Sequence, residues 1–151
     1  MILFELDDFD YWVEHDVVSG NGEATFSPMF VFLIDWAAKR NCLDESFTSS
    51  SVMWNLYQDM VAGKVSMTEF VLDALDGKLL ADYFSESVRG FISDYVEYDG
   101  YSKDLVDCFK VNMWELPHDL NESETLYRQI DRSFKNYSKN LMHNPDIVSF
   151  D

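Results

Sequence analysis

Ser27-Pro28-Met29-Phe30-Val31-Phe32-Leu33-Ile34-Asp35-Trp36-Ala37-Ala38-Lys39-Arg40 is the stretch on which the fold turns. Serine before proline reads as a helix start: the serine oxygen can accept an orphan amide, and proline suits the first helical position, where its missing N–H is not needed. Phe30, Leu33, Ile34, Ala37, Ala38 and Leu43 follow at helical spacing, and Lys39-Arg40 stand near the carbonyl pole that cations complement. The spacing predicts a helix over about residues 28–42. Phe32 and Trp36 fall on its other flank, so the helix is apolar on more than one face and is expected at the centre, packed on two sides.

Downstream the same period continues. Ser49-Ser50-Ser51 precede Val52, Met53, Leu56, Tyr57 and Met60, a second amphipathic helix that stops at Ala62-Gly63. Ser66-Met67-Thr68-Glu69 is a capping box, in which serine and glutamate each satisfy an amide of the other's end of the first turn. Phe70, Val71, Ala74 and Leu75 carry that third helix to Gly77, which can take the left-handed turn that ends it. Leu79, Leu80, Tyr83, Phe84, Val88, Phe91, Ile92, Tyr95 and Val96 predict a fourth helix over about residues 79–98, with a break at Ser85 or Gly90 and an end at Asp99-Gly100. Ser102 to Lys110 reads as a short helix. After Leu116-Pro117, Asn121-Glu122-Ser123-Glu124 reads as a second capping box, opening a last helix through Leu126, Ile130, Phe134, Tyr137 and Leu141 that stops at Asn144-Pro145. At the start, Ile2-Leu3-Phe4 with Leu6 reads as a short strand or an extended arm, and Gly20-Asn21-Gly22 as a loop. The expected fold is mainly α: a single-domain bundle of five or six helices with an extended or short-strand N-terminal arm. Residues 1–26 are its arm and loop, 27–143 its helical body and 144–151 its tail.

A chain of 151 residues is one ordinary domain, and 47% hydrophobic with 16% aromatic residues is more than a disordered acidic tail carries. Its formal charge of −17 is therefore worn by a folded body. Residues 1–107 hold 21 acids against 6 bases and residues 108–151 hold 7 against 5, so the negative field belongs to the first part. Cys42 and Cys108 sit in apolar helical patterns and read as buried free thiols. Met1-Ile2-Leu3-Phe4 turns acidic at Glu5 without the basic region of a secretion signal, and the longest apolar run, Met29 to Ile34, is too short to span a bilayer. A soluble, cytoplasmic protein is expected, with no membrane role.

Signs of chemistry are few. His15, His118 and His143 are scattered, without metal-ligand spacing, and no Gly-rich phosphate loop or paired C-x-x-C is present. Glu14-His15-Asp16 and His118-Asp119 set acid beside imidazole, but adjacent side chains point apart, so neither forms an acid/base couple. No catalytic residue, cofactor or metal is expected. What stands out is Asp94-Tyr95-Val96-Glu97-Tyr98-Asp99-Gly100-Tyr101, where carboxylates offer long-range attraction to a basic surface and tyrosines offer rigid contact area. An EF-hand register there fails, because Tyr95 and Val106 would fall where carboxylates must coordinate. Asp7-Asp8-Phe9-Asp10-Tyr11-Trp12 repeats the mixture, so Asp94, Glu97, Tyr98, Asp99 and Tyr101 with Asp7, Asp8, Asp10, Tyr11 and Trp12 are the candidate partner-binding residues of one shared face. Arg128, Arg132, Lys135 and Lys139 form a basic stripe on the last helix, expected to pair with the protein's own acids or to be solvated. Direct nucleic-acid binding is disfavoured, because the body repels phosphate.

The segments Ala24-Thr25-Phe26-Ser27-Pro28-Met29-Phe30 on to Trp36, Ser66-Met67-Thr68-Glu69-Phe70 through Asp76-Gly77-Lys78-Leu79, Phe91-Ile92-Ser93-Asp94-Tyr95, and Tyr127-Arg128-Gln129-Ile130-Asp131-Arg132 resemble a small, functionally uncharacterised bacterial family. That family pairs a T-x-x-x-M-F-type helix start with an E-F-…-D-G-K-L segment and a Y-x-x-I-D-x-R-like stretch in the final helix. The chain departs from it at Tyr11-Trp12-Val13-Glu14-His15, where the family tends towards a W-H pair and a glycine-rich turn. The resemblance implies a bacterial origin and an immunity role, and no catalytic residues. The function expected is an immunity-type inhibitor that covers a basic toxin, with a nuclease as first candidate. An acidic nucleic-acid mimic and an enzyme with an unrecognised site are the alternatives.

Overall fold

A computed structural model describes residues 1–9 and 22–143. Seven α-helices and a two-stranded sheet make up the regular structure of these residues: β1 (Ile2–Glu5), α1 (Gly22–Lys39), α2 (Glu45–Thr48), α3 (Ser51–Val61), α4 (Met67–Asp73), β2 (Lys78–Leu80), α5 (Glu86–Glu97), α6 (Gly100–Phe109) and α7 (Glu124–His143). The molecule is mainly helical with a short-strand N-terminal arm. The helix not anticipated is the single turn α2, capped by Asp44, whose side chain accepts the amide of Ser46.

At the centre lies α1, with Phe26, Phe30, Val31, Phe32, Leu33, Ile34, Trp36 and Ala37 all buried. A helix apolar all round needs cover all round. It receives this from α4, from the 3-10 turns Leu6–Phe9 and Met113–Glu115, and from α7, whose Phe134 meets Trp36 edge-on with ring centroids 6.3 Å apart. The helix starts at Gly22, one and a half turns before Ser27-Pro28. Ser27 is buried and its hydroxyl donates to the carbonyl of Glu23, a back-bond inside the helix and not a cap. The extra turn is held by Phe26, which stacks on Phe9 at 4.3 Å between centroids. The helical body thus begins at residue 22, and the expected tail, 144–151 with Asn144-Pro145, lies outside the described residues.

Leu79 and Leu80 belong to a strand, not to a fourth helix. β2 pairs antiparallel with β1 in the register Ile2↔Leu80, Phe4↔Leu79 and Glu5↔Lys78, with an irregularity between Ile2 and Phe4. Ala81–Tyr83 then make a 3-10 turn, and α5 begins at Glu86 after Ser85, the first of the two breaks the sequence offered. The expected capping box at Asn121 is replaced by other bonds: Asp119 Oδ1 takes the Asn121 amide at 2.9 Å, a 3-10 turn spans Leu120–Glu122, and α7 starts at Glu124. The box at Ser66 forms as read, with Glu69 N–H donating to Ser66 Oγ at 3.0 Å and Ser66 N–H to Glu69 Oε1 at 3.3 Å.

Three polar ties cross the bundle. Asp35, fully buried on α1, accepts the hydroxyls of Tyr57 (2.6 Å) and Tyr127 (2.5 Å) and lies 3.3 Å from Lys39 Nζ, joining α1, α3 and α7. Asp131 on α7 accepts Trp36 Nε1 at 2.9 Å and the Arg40 guanidinium at 2.8 Å, and that guanidinium holds its carboxyl below the usual range. Asp104 on α6 accepts the Tyr95 hydroxyl of α5 at 2.6 Å and Ser133 Oγ of α7 at 3.1 Å. Cys42 and Cys108 are free but half-buried, their thiols pushed up first by burial. Among the described residues no helix is long and apolar enough to cross a membrane.

Candidate functional site

The turn between α5 and α6 places the second acidic-aromatic segment. Glu97 ends α5, and Asp99 takes a left-handed conformation (φ 64°) that aspartate tolerates better than bulkier residues do. Gly100 is needed next: a Cβ there would lie 2.9 Å from Cδ1 of Tyr95. The tight reversal leaves Glu97, Tyr98 and Asp99 exposed, while the Tyr95–Asp104 bond behind it pins the two helices together. Tyr98 is 72% exposed.

Beside this turn runs a cleft of about 630 Å³. Phe4 from β1, Phe9 from the following 3-10 turn, and Phe26 and Met29 from α1 line it, with Met113 and Trp114 contributed by the segment after α6. Asp8 from the first acidic segment and Glu97 and Asp99 from the second also line it. Two stretches far apart in sequence therefore border one concave surface, because β1 packs on α5 and carries the 3-10 turn Leu6–Phe9 with it. Asp8 is fixed locally, its Oδ2 accepting the amide of Glu5 at 2.9 Å.

Asp7 is exposed on the same 3-10 turn but does not line the cleft, and Asp94 is half-buried on α5. Tyr101 lines the cleft but is only 2% exposed and donates its hydroxyl to the carbonyl of Met29 at 2.5 Å, so it also braces α6 against α1. Burial is also what pushes that hydroxyl's pKa up. Asp10, Tyr11 and Trp12, with His15, lie outside the described residues. The aromatic floor escaped the sequence reading, since Phe4, Phe9 and Phe26 meet only through non-local packing; Trp114, in a non-helical stretch before Leu116-Pro117, was the one local signal.

A second cavity, about 390 Å³, is lined by Asp35, Lys39, His118 and Asp119 among others. Its polar groups already serve the fold: Asp35 holds two tyrosines and Asp119 caps the Asn121 turn. Burial lowers the His118 pKa. Among the described residues no group of three or more His, Cys, Asp or Glu side chains is placed to hold a metal ion. On the basic stripe, Arg128 pairs with Glu124 at 3.0 Å and Arg132 donates to Gln129 at 3.2 Å, while Lys135 and Lys139 are exposed.

Residues 5–119 match the domain of unknown function DUF7832. The chain belongs to that family. The match takes in α1, β2, the α5–α6 turn and most of the cleft, whereas β1 up to Phe4 and α7, with Tyr127 and Asp131, fall outside it. No curated protein and no solved structure matches this DUF7832 chain.

Proposed function

We propose that this DUF7832 protein is a non-enzymatic, cytoplasmic binding protein of bacterial origin that neutralises a basic toxin, with a nuclease as first candidate, by covering its substrate-binding surface. The observation that supports the reading is the convergence of Asp8, Glu97 and Asp99 on one cleft in a chain of formal charge −17. A nuclease surface built to hold phosphates is positive, so a carboxylate-bordered surface attracts it over long range and competes with its substrate. The immunity role itself comes from the family resemblance carried by Met29-Phe30, Asp76-Gly77-Lys78-Leu79 and Tyr127 to Arg132.

Capture of the partner from the native host followed by binding kinetics tests this. The double reversal Glu97→Lys with Asp99→Lys should slow association about tenfold or more at low salt, since each new cation faces the partner's positive charge. Asp73→Lys with Asp107→Lys, exposed positions that do not line the cleft, should leave association within about twofold. Equal on-rates for the two folded double mutants, or an on-rate insensitive to ionic strength, would remove the acidic surface from the account.

A further inference from the structure

A surface made for charge attraction alone has no use for an apolar floor. This cleft has one: three phenylalanines and the methionines Met29 and Met113, with Met1 and Ile2 exposed at its mouth. We propose that the cleft receives one large apolar side chain of the partner, tryptophan, phenylalanine or leucine, flanked on the partner's chain by lysine or arginine. This rests on the reading above and names the chemistry of the segment that the same site takes.

Three observations carry it. The volume of about 630 Å³ lies within the ~300–1,000 Å³ range of ligand pockets, enough for an aromatic side chain and a neighbour. Among the described residues the charged side chains lining it are all carboxylates, Asp8, Glu97 and Asp99, with no lysine, arginine or histidine, so cations on an occupant are favoured at the rim. Two of the lining hydroxyls are engaged within the protein: Tyr101 donates to the Met29 carbonyl and Ser102 Oγ to the Asp99 carbonyl at 3.1 Å. The lining is thus mostly apolar, with carboxylates at its edge. Methionine walls are soft and adaptable, so the socket tolerates more than one shape of anchor, and a buried aromatic anchor with charged residues around it is how most tight interfaces concentrate their energy.

The test uses the full chain, isotope-labelled for amide NMR, and three synthetic peptides: acetyl-Lys-Lys-Trp-Lys-Lys-amide, the same with alanine for tryptophan, and the same with glutamate for lysine. The tryptophan peptide should shift the amides of Phe4, Val96, Ser102 and Trp114 saturably. The alanine peptide should bind about tenfold more weakly and the glutamate peptide not at all. Ser102→Trp, and independently Ser93→Phe should the first not fold, fills the cleft and should abolish the advantage of tryptophan over alanine while leaving the weak lysine-dependent shifts in place. If tryptophan and alanine peptides bind equally, the anchor is wrong and the acidic surface survives; if neither lysine peptide shifts the cleft amides, both fall. Shifts of the same amides with protein concentration alone would assign the cleft to a second copy of the chain and overturn the proposal.

Discussion

At the scale of single residues, four of the described tyrosines hold the fold and Tyr98 stands exposed. Tyr57, Tyr95, Tyr101 and Tyr127 are buried, and each hydroxyl is anchored, on Asp35, Asp104, the Met29 carbonyl and Asp35 respectively. Burial first, and a neighbouring carboxylate for all but Tyr101, pushes their pKa values well above the ordinary one. The sign of the pH dependence follows. A group that holds its proton more tightly when folded contributes stability that is intact below the unfolded pKa, about 10, and is lost as pH rises past it, because the unfolded chain releases the proton first. In an alkaline titration these four should ionise only as helix is lost, so a large part of the tyrosinate absorbance should appear together with the fall in circular dichroism. Ionisation of nearly all tyrosines with the helices intact would mean that the buried ties are not made. Tyr98, exposed at 72%, lies outside this group and is the tyrosine of the second segment available to a partner.

At the scale of elements, local chemistry was legible wherever one helical turn contained the whole signal. The Ser66 box is such a case, and Ser66→Ala should cost about 1 kcal/mol, because the Glu69 amide loses its acceptor; denaturant melts at equal m check it, and an unchanged midpoint would place the stabilisation of α4 elsewhere. Gly77 was legible for the same reason, its φ of +70° being the left-handed turn expected of it. Leu79-Leu80 was not. Three- and four-residue spacing fits both a helix and a strand over so short a run, and what decides between them is Ile2–Glu5, brought alongside from the other end of the described fold. Ser27-Pro28 misled because the cap reading is local, whereas the helix is extended by Phe26 packing on Phe9, a contact of tertiary origin. At the candidate site the same division holds. The rim acids Asp8, Glu97 and Asp99 could be read from their own segments; the floor of Phe4, Phe9 and Phe26 could not, because it exists only once β1 lies against α5.

At the scale of the whole molecule, charge opposes compactness. With a formal charge of −17 and, among the described residues, cross-element ion pairs such as Arg40–Asp131 and Arg89–Asp44, repulsion among carboxylates is expected to outweigh the attraction that salt would weaken. Raising sodium chloride from about 0.01 M to 0.15 M shortens the screening length from roughly 30 Å to 8 Å. The thermal midpoint at pH 7 should therefore rise, and a midpoint that falls across the series would show that the ion pairs govern instead. One detail of the arm bears on how the protein is handled. Met1 accepts the Ala81 amide through its carbonyl at 3.0 Å and stands exposed at the mouth of the cleft. Any peptide fused ahead of it, such as an affinity tag rich in histidine, would emerge beside the cleft that Asp8, Glu97 and Asp99 border, and on the proposed reading should compete there with the occupant. A protein tagged ahead of Met1 should therefore take up the lysine-tryptophan peptide more weakly than one tagged at the other terminus, which comparison of the two by amide NMR checks.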